Sequence, residues 1–508
     1  MSAAATFLIV ADARSRRSGP SWPRNGRPVR SAPHTSAPEA AALLRFLRLA
    51  TGVRADEARH AVSERRESEN PVRVLFTVWP AAAHLFPSVP LAWALQAAGH
   101  DVRVASRPAL AGPTTAAGLA AVSLVDENDL PRSVGAATPA PEESRQAWSR
   151  ITEAMAIDPV DPVAPHIWRL QRDYVAPALN DLQPADAPPD RPQPVLDALV
   201  RFCRSWQPDL VLWDPTMPAS AVAARTVGAA HARLLWGLDH VGWSVDRYAR
   251  RKDELGEALT DVDPVVAAVR AMAERYQMAF DDELLHGQWS LDPMPPGMRL
   301  PTGRRTVPMS WVPYTGSGVL PEWLHERTGR PRVALTLGAS MRAFSKDSKP
   351  LIANLLEAVG ELDIDVVATL NAAQLEGIDR VPDNVRTIDY MPLSHLLPTC
   401  SAVIHHGGYG TMCAAAAAAV PQIVAMDGDA VMEGPISAHH LTEQGAGLRL
   451  EHAECSVDDI RKMVIRVLEE PSFQRASEGL RRDLLASPSP ADVVPVLERL
   501  VAEHRTTV

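Results

Sequence analysis

One pattern occurs twice in this chain and narrows its fold more than any other feature. From Arg73 the sequence runs RVLFTVW, then Pro80 and a loop, then an apolar helix over Val89–Ala98 that stops at Gly99, then DVRVA. An apolar run with no polar alternation is the mark of a strand buried on both faces, and a helix between two such strands requires a parallel crossover. The pattern resumes with PDLVLW, a small-residue helix from Pro218 to Val227, and HARLLW. It starts again at Pro331. Strands are expected at Val333–Leu337, Asp365–Leu370, Val385–Tyr390, Ala402–His405 and Gln422–Met426, with helices over Leu351–Leu362 and Thr411–Ala419. The fold class this implies is α/β: two doubly wound parallel-sheet domains facing each other across a cleft.

The other segments fit around that frame. Residues 1–71 are rich in Arg, Ser, Pro, Ala and Glu, and read as a disordered extension apart from a short helix over Ala41–Leu49. Val72 is also a residue that a bacterial gene can encode at an alternative start. The first domain is expected over 72–305, a proline-rich linker over 306–330, the second domain over 331–485 and a terminal helix over 486–508. Residues 126–194 read as helices and long loops on the rim, and 243–290 as amphipathic helices.

Composition excludes several classes. The 508 residues are 46% hydrophobic and 22% charged, which provides for sizeable cores. A net charge of -10 gives no global basic field for nucleic acid or an anionic membrane. No apolar run approaches the ~18 to 20 residues that span a bilayer, and the short run Phe7–Ala11 lacks a preceding basic segment, so no signal peptide is expected. The four cysteines are scattered without a CxxC pair, which argues against a disulfide framework or thiolate zinc site and fits a reducing cytoplasm.

The strongest chemical signal is His405-His406-Gly407-Gly408-Tyr409-Gly410-Thr411, between a buried strand and a helix. Glycines let a ligand approach the backbone, and the unpaired N–H groups and positive dipole end of a helix suit a diphosphate. His406 and Thr411 add side-chain donors at the same place. His84 lies in the loop after the first strand. There an imidazole can act as a proton acceptor, or merely cap a helix. Asp214 ends a strand on the same sheet edge, where it either orients His84 or caps the helix that follows.

The segments DYMPLSHLLPTCSAVIHHGGYGT, AAVPQIVAMDGD and EQGAGLRL resemble the donor-binding half of the GT-B glycosyltransferases of actinomycete antibiotic pathways, which use TDP-deoxysugars. RVLFTVWPAAAHLFPSVPLAWALQAAGHDVRVAS, FCRSWQPDLVLWDP, VPYTGSGVLPEWL and RPRVALTLGAS extend the resemblance from Val72 to the C-terminus. It implies that His84 is the catalytic base. It also implies a donor site of Gly338, Ser340, Tyr390, Pro392, Leu393, His406, Gly407, Gly408, Gly410 and Thr411. Gly338 and Ser340 either line the phosphate site or form a plain turn. Tyr390 either stacks on the base or belongs to the core. The family's sugar-contacting acidic residue falls on Asp427, Asp429 or Glu433, because the spacing after Val420-Pro421 is about three residues longer than usual. Asp427-Gly428-Asp429 looks like a DxD metal motif, but that role belongs to a different glycosyltransferase fold.

The activity implied is inverting, metal-independent transfer of a deoxysugar from a TDP-sugar co-substrate to a hydrophobic, polyketide-type aglycone, with no other cofactor. A haem-less cytochrome-like auxiliary protein is implied as a partner by resemblance alone. The alternatives are a nucleotide-sugar 2-epimerase of the same architecture and a non-catalytic nucleotide-sugar binder.

Overall fold

The computed structural model describes residues 71–125, 142–175, 193–256, 263–326, 329–338, 349–426 and 433–506. The expectations for 1–70, for the Ala41–Leu49 helix and for Ser340, Asp427 and Asp429 fall outside the described residues.

The first domain is a seven-stranded sheet of β1 (Arg73–Thr77), β2 (Asp101–Ser106), β3 (Ala120–Ser123), β4 (Leu210–Trp213), β5 (Ala230–Leu234), β6 (Ser290–Asp292) and β7 (Thr306–Pro308). Its order is β3-β2-β1-β4-β5-β6-β7, and every pairing is parallel. The period of two shows in how the central strands divide their side chains. Val74, Phe76, Leu210 and Leu212 enter the core on one face, while Leu75, Val211 and Trp213 enter that on the other. Neither face meets water, which is why these strands read as unbroken apolar runs.

The second domain pairs β8 (Arg332–Thr336), β9 (Asp365–Ala368), β10 (Val385–Thr387), β11 (Ala402–His405), β12 (Gln422–Met426) and β13 (Gly447–Glu451) in the order β10-β9-β8-β11-β12-β13, again all parallel. In both sheets the chain order reverses beside the first strand, between β1 and β4 and between β8 and β11. Ligands of open α/β sheets bind at the carboxyl edge of such a switch point.

The helices that matter below are α1 (Val89–Ala97), α2 (Glu142–Ala154), α3 (Ala164–Leu170), α4 (His240–Leu255), α5 (Tyr409–Ala417), α6 (Gly434–Glu443) and α7 (Pro490–His504). Three features correct or extend the expectations. β7 lies inside the segment read as linker, so the first sheet extends to Pro308. β3, β6, β7 and β13 had not been anticipated as strands. β6 and β7 have three residues each, and the outermost ends in proline, which only an edge strand tolerates. Such strands leave too little apolar pattern to read. The terminal helix, moreover, returns to the first domain. Val493, Val494, Leu497, Leu500 and Val501 of α7 join Val74, Phe76 and Leu91 in one core.

The domains meet through a further cluster. Ile167 and Leu170 of α3 pack with Leu238, Met294, Met298 and Trp311, and with Tyr409, Met412 and Ile436 from the second domain.

Candidate active site

In the first domain the site is built on the ends of β1 and β4. Beyond β1 the chain makes one helical turn, Ala82–Leu85, which begins from an extended Ala81 and carries His84 back over the sheet edge. The two strand ends are tied together, since Asp214 N–H donates to the Thr77 carbonyl at 2.9 Å. His84 Nδ1 donates to Asp214 Oδ2 at 2.6 Å, and the two residues are only 6% and 5% exposed. The other carboxylate oxygen accepts from the Thr216 N–H at 2.9 Å and its hydroxyl at 2.6 Å.

Burial pushes the Asp214 carboxyl up. The charge and hydrogen bond of His84, with the two bonds from Thr216, outweigh that and hold it below the usual carboxylate range. A carboxylate anchored on one side by Thr216 and on the other by Nδ1–H fixes the imidazole tautomer, leaving Nε2 as the proton acceptor. Asp214 therefore orients His84, and caps no long helix with its carboxylate. The Trp236 ring covers His84 at 4.3 Å between centroids, and the Tyr174 hydroxyl lies 3.5 Å from Nε2.

The second domain presents the β11–α5 loop. His405 is fully buried. Its Nε2 donates to Gln422 Oε1 at 2.9 Å, and its Nδ1 accepts from the Gly407 N–H at 3.1 Å. Burial lowers its pKa to about 3, so it braces the loop as a neutral ring. His406 is half-buried, with Nδ1 lacking a partner among the described residues, and burial lowers its pKa to about 4. Its ring fits between two glycines. A Cβ on Gly338 (φ 77°) would sit 2.2 Å from Cε1, and one on Gly408 would sit 2.7 Å from Nε2.

Gly407 (φ 95°) is equally confined, because a Cβ there would lie 2.5 Å from the Gly434 Cα. Its carbonyl accepts from the Ser437 hydroxyl at 2.6 Å. These contacts bring the loop against the start of α6 and Glu433. The first turn of α5 has no side-chain cap, Gly410 is exposed and Thr411 lies 8% exposed beside them. Backbone donors and a helix dipole therefore converge there without a charged imidazole.

Glu433 is half-buried at the head of α6, where burial raises its carboxyl above the ordinary range despite the opposing pull of its own backbone N–H and of His84. It is thus within electrostatic reach of the histidine of the first domain. Tyr390 stays 44% exposed, and its hydroxyl donates to the Thr315 carbonyl in the linker. Pro392 packs on Gly318, and Leu393 joins the cluster around Leu324 and Leu396. All three thus fasten the linker to the second domain, with the Tyr390 ring retaining open surface.

Several residues at this site went unnoticed in the sequence. Thr216, Trp236 and Tyr174 surround the His84–Asp214 pair, and nothing in their spacing signalled it. Tyr409 is 2% exposed and crosses into the first domain. Its ring stacks on His240 at 6.0 Å and 19°, and it leaves no room for a Cβ on Gly237, which would lie 2.5 Å away. The signal for His405 was there to read: a polar residue in an otherwise apolar strand, with Gln422 opening the next one. Among the described residues no group of three or more His, Cys, Asp or Glu is placed to hold a metal ion, and no helix is long and apolar enough to cross a membrane.

Comparison with known proteins matches this architecture in both halves. Residues 93–338 match the family model of the erythromycin biosynthesis protein CIII-like N-terminal domain, and 353–500 match that of its C-terminal domain. The chain is 41% identical to the aclacinomycin-T 2-deoxy-L-fucose transferase of Streptomyces galilaeus, over 85% of this chain and 97% of that one. It is 42% identical to the 10-deoxymethynolide desosaminyltransferase of Streptomyces venezuelae, over 85% of this chain and 98% of that one. Among solved structures it is similar to the glycosyltransferase VinC in complex with DTDP, with TM-score 0.70, 33% identity and coverage of 85% of this chain and 100% of the other. It is likewise similar to the spinosyn forosaminyltransferase SpnP, with TM-score 0.68, 36% identity and the same coverage. Two switch points facing each other, one bearing a carboxylate-oriented histidine and the other a glycine-lined helix start, thus belong to a GT-B glycosyltransferase of the erythromycin biosynthesis protein CIII-like family.

Proposed function

We propose that the protein transfers a deoxysugar from a TDP-sugar to a hydroxyl of a polyketide-type aglycone, with inversion at the anomeric carbon. One observation carries the reading: the 2.6 Å His84–Asp214 contact at one switch point, across from the β11–α5 loop of the other. The relatives' names support the substrate classes. They include a TDP-daunosamine transferase of Streptomyces peucetius and an erythronolide mycarosyltransferase of Saccharopolyspora erythraea.

In this reading the acceptor enters from the rim formed by α2, α3 and α4. Its hydroxyl proton passes to His84 Nε2 as the oxygen bonds to the anomeric carbon, and Asp214 stabilises the imidazolium that forms. The bond from that carbon to the diphosphate oxygen breaks, and its electron pair leaves with TDP. The N–H groups at the start of α5, with His406 and Thr411, meet the charge that develops there. Base and leaving group lie on opposite domains, hence on opposite faces of the sugar, which is the requirement for inversion. Glu433 is the acidic residue placed to meet sugar hydroxyls. We assign the reaction no metal or further cofactor, and place it in the cytoplasm, where the four unpaired cysteines would be stable. A haem-less cytochrome-like protein as activating partner belongs to the same reading.

The test is product analysis with a TDP-deoxysugar, with and without a polyketide aglycone, in the presence and absence of such a partner. The expected product is a glycoside of inverted configuration formed one-for-one with TDP. A donor epimerised without aglycone would establish the 2-epimerase instead, and binding without turnover under every condition would leave a nucleotide-sugar binder.

A further inference from the structure

The proton-accepting atom of His84 already has a hydroxyl beside it. Nδ1 is committed to Asp214, and Trp236 covers the ring, so Nε2 is the atom left to face the cleft. The group that meets it is the Tyr174 phenol at 3.5 Å, the outer limit of a hydrogen bond. We propose that Tyr174 fills the acceptor-hydroxyl position, shielding His84 from water until an aglycone hydroxyl displaces it. This rests on the reading of His84 as the base.

Three observations support an exchange of one hydroxyl for another. Tyr174 belongs to a wide, π-type turn, Gln171–Val175, that continues from α3, and such turns recur at functional sites. Within the turn Gln171 and Val175 are buried, while Tyr174 is only half-buried, at the margin of the first core. The phenol also mimics its replacement, an O–H on a rigid apolar ring, and its edge-on contact with Trp236 at 6.5 Å and 73° marks a surface that an aglycone ring could take over. Burial, with Asp214 and Glu433 nearby, pushes the Tyr174 pKa far above its ordinary value, so the group at Nε2 is the neutral O–H donor.

The reaction being suppressed is hydrolysis of the donor. A water proton would pass to Nε2, the water oxygen would bond to the anomeric carbon, and TDP would leave with the electron pair of the broken bond. The experiment measures TDP release from the TDP-deoxysugar donor without aglycone, for wild type, Tyr174→Phe, His84→Ala and the double variant. Thermal melting establishes that each is folded, and Tyr174→Leu takes the place of Tyr174→Phe should that variant fail to fold. Removing the hydroxyl should raise acceptor-free release about tenfold, and adding His84→Ala should abolish the gain. A rise below threefold overturns the proposal, and so does a rise that survives His84→Ala. Transfer to aglycone by His84→Ala separates the two ideas. If it persists, the base reading fails. If it is lost while Tyr174→Phe releases TDP at the wild-type rate, the Tyr174 role alone fails.

Discussion

Two histidines stand at the two switch points of this molecule, and their surroundings make opposite use of the same side chain. His84 has a buried carboxylate against Nδ1, which leaves Nε2 as the accepting atom of the ring. His406 has two glycines around its ring and no charged partner among the described residues, and burial holds its pKa near 4. The first environment suits a group that must change protonation during reaction. The second suits a fixed neutral donor beside a helix start. The residue type does not decide the role. The neighbour at its second nitrogen does.

The largest effect should come from breaking the His84 side of this contrast. His84→Ala and Asp214→Asn should each lower kcat by about 10²-fold or more while TDP affinity stays near wild type. Turnover assays paired with calorimetry check this, and near-normal turnover in either variant would make the two histidines equivalent.

Next is the contact that holds the two switch points face to face. Tyr409→Ala removes a buried ring wedged between Gly237 and His240, and should cost about 3–5 kcal/mol of unfolding free energy. Denaturant titration measures it. A loss below about 1 kcal/mol would mean that the domains are aligned by other contacts.

His406→Ala should weaken donor binding far more than it alters the fold. Losing one hydrogen bond to an anionic ligand costs about 1.5–3 kcal/mol, or roughly 10- to 150-fold in Kd for TDP. Unchanged TDP affinity in a folded variant would remove His406 from the donor site.

A further effect, spread over several pH units, is on stability against pH. His231, His405 and His406 have pKa values lowered to about 3, 3 and 4 by burial, so between pH 6.5 and those values the unfolded chain binds protons that the native one does not. Stability present above pH 6.5 is therefore lost on acidification, by up to about 1.4 kcal/mol per pH unit for each such histidine. Between pH 6.5 and 4 Asp214 adds nothing, because its lowered pKa makes its contribution disappear only as pH falls below about 4. Replacing the fully buried His231, whose ring nitrogens have no partner among the described residues, with leucine should flatten the melting-temperature profile between pH 6.5 and 4. An unaltered slope would show that this ring is protonated in the native state.

Much of this was legible in the order of residues. The runs RVLFTVW, LVLW and AVIH could only be strands buried on both faces, and the helices between them forced parallel sheets. The HHGGYGT loop was visible because glycine at Gly407 answers a positive φ and a backbone contact that no side chain would permit. Short edge strands such as Thr306–Pro308 were not visible, since three residues carry no period.

What the sequence by itself determined is the pair of sheets and the places along the chain where a ligand loop must fall, because those follow from local periodicity and backbone freedom. Which atoms meet in those loops was decided only by the tertiary structure. His84 and Asp214 are 130 residues apart, and only the pairing of β1 with β4 brings them to 2.6 Å. Tyr174 reaches Nε2 from a rim segment whose composition says nothing of a base. Tyr409 finds Gly237 only because two separately folded sheets dock. Such contacts depend on side chains distant in sequence occupying one small volume, and no local propensity encodes that.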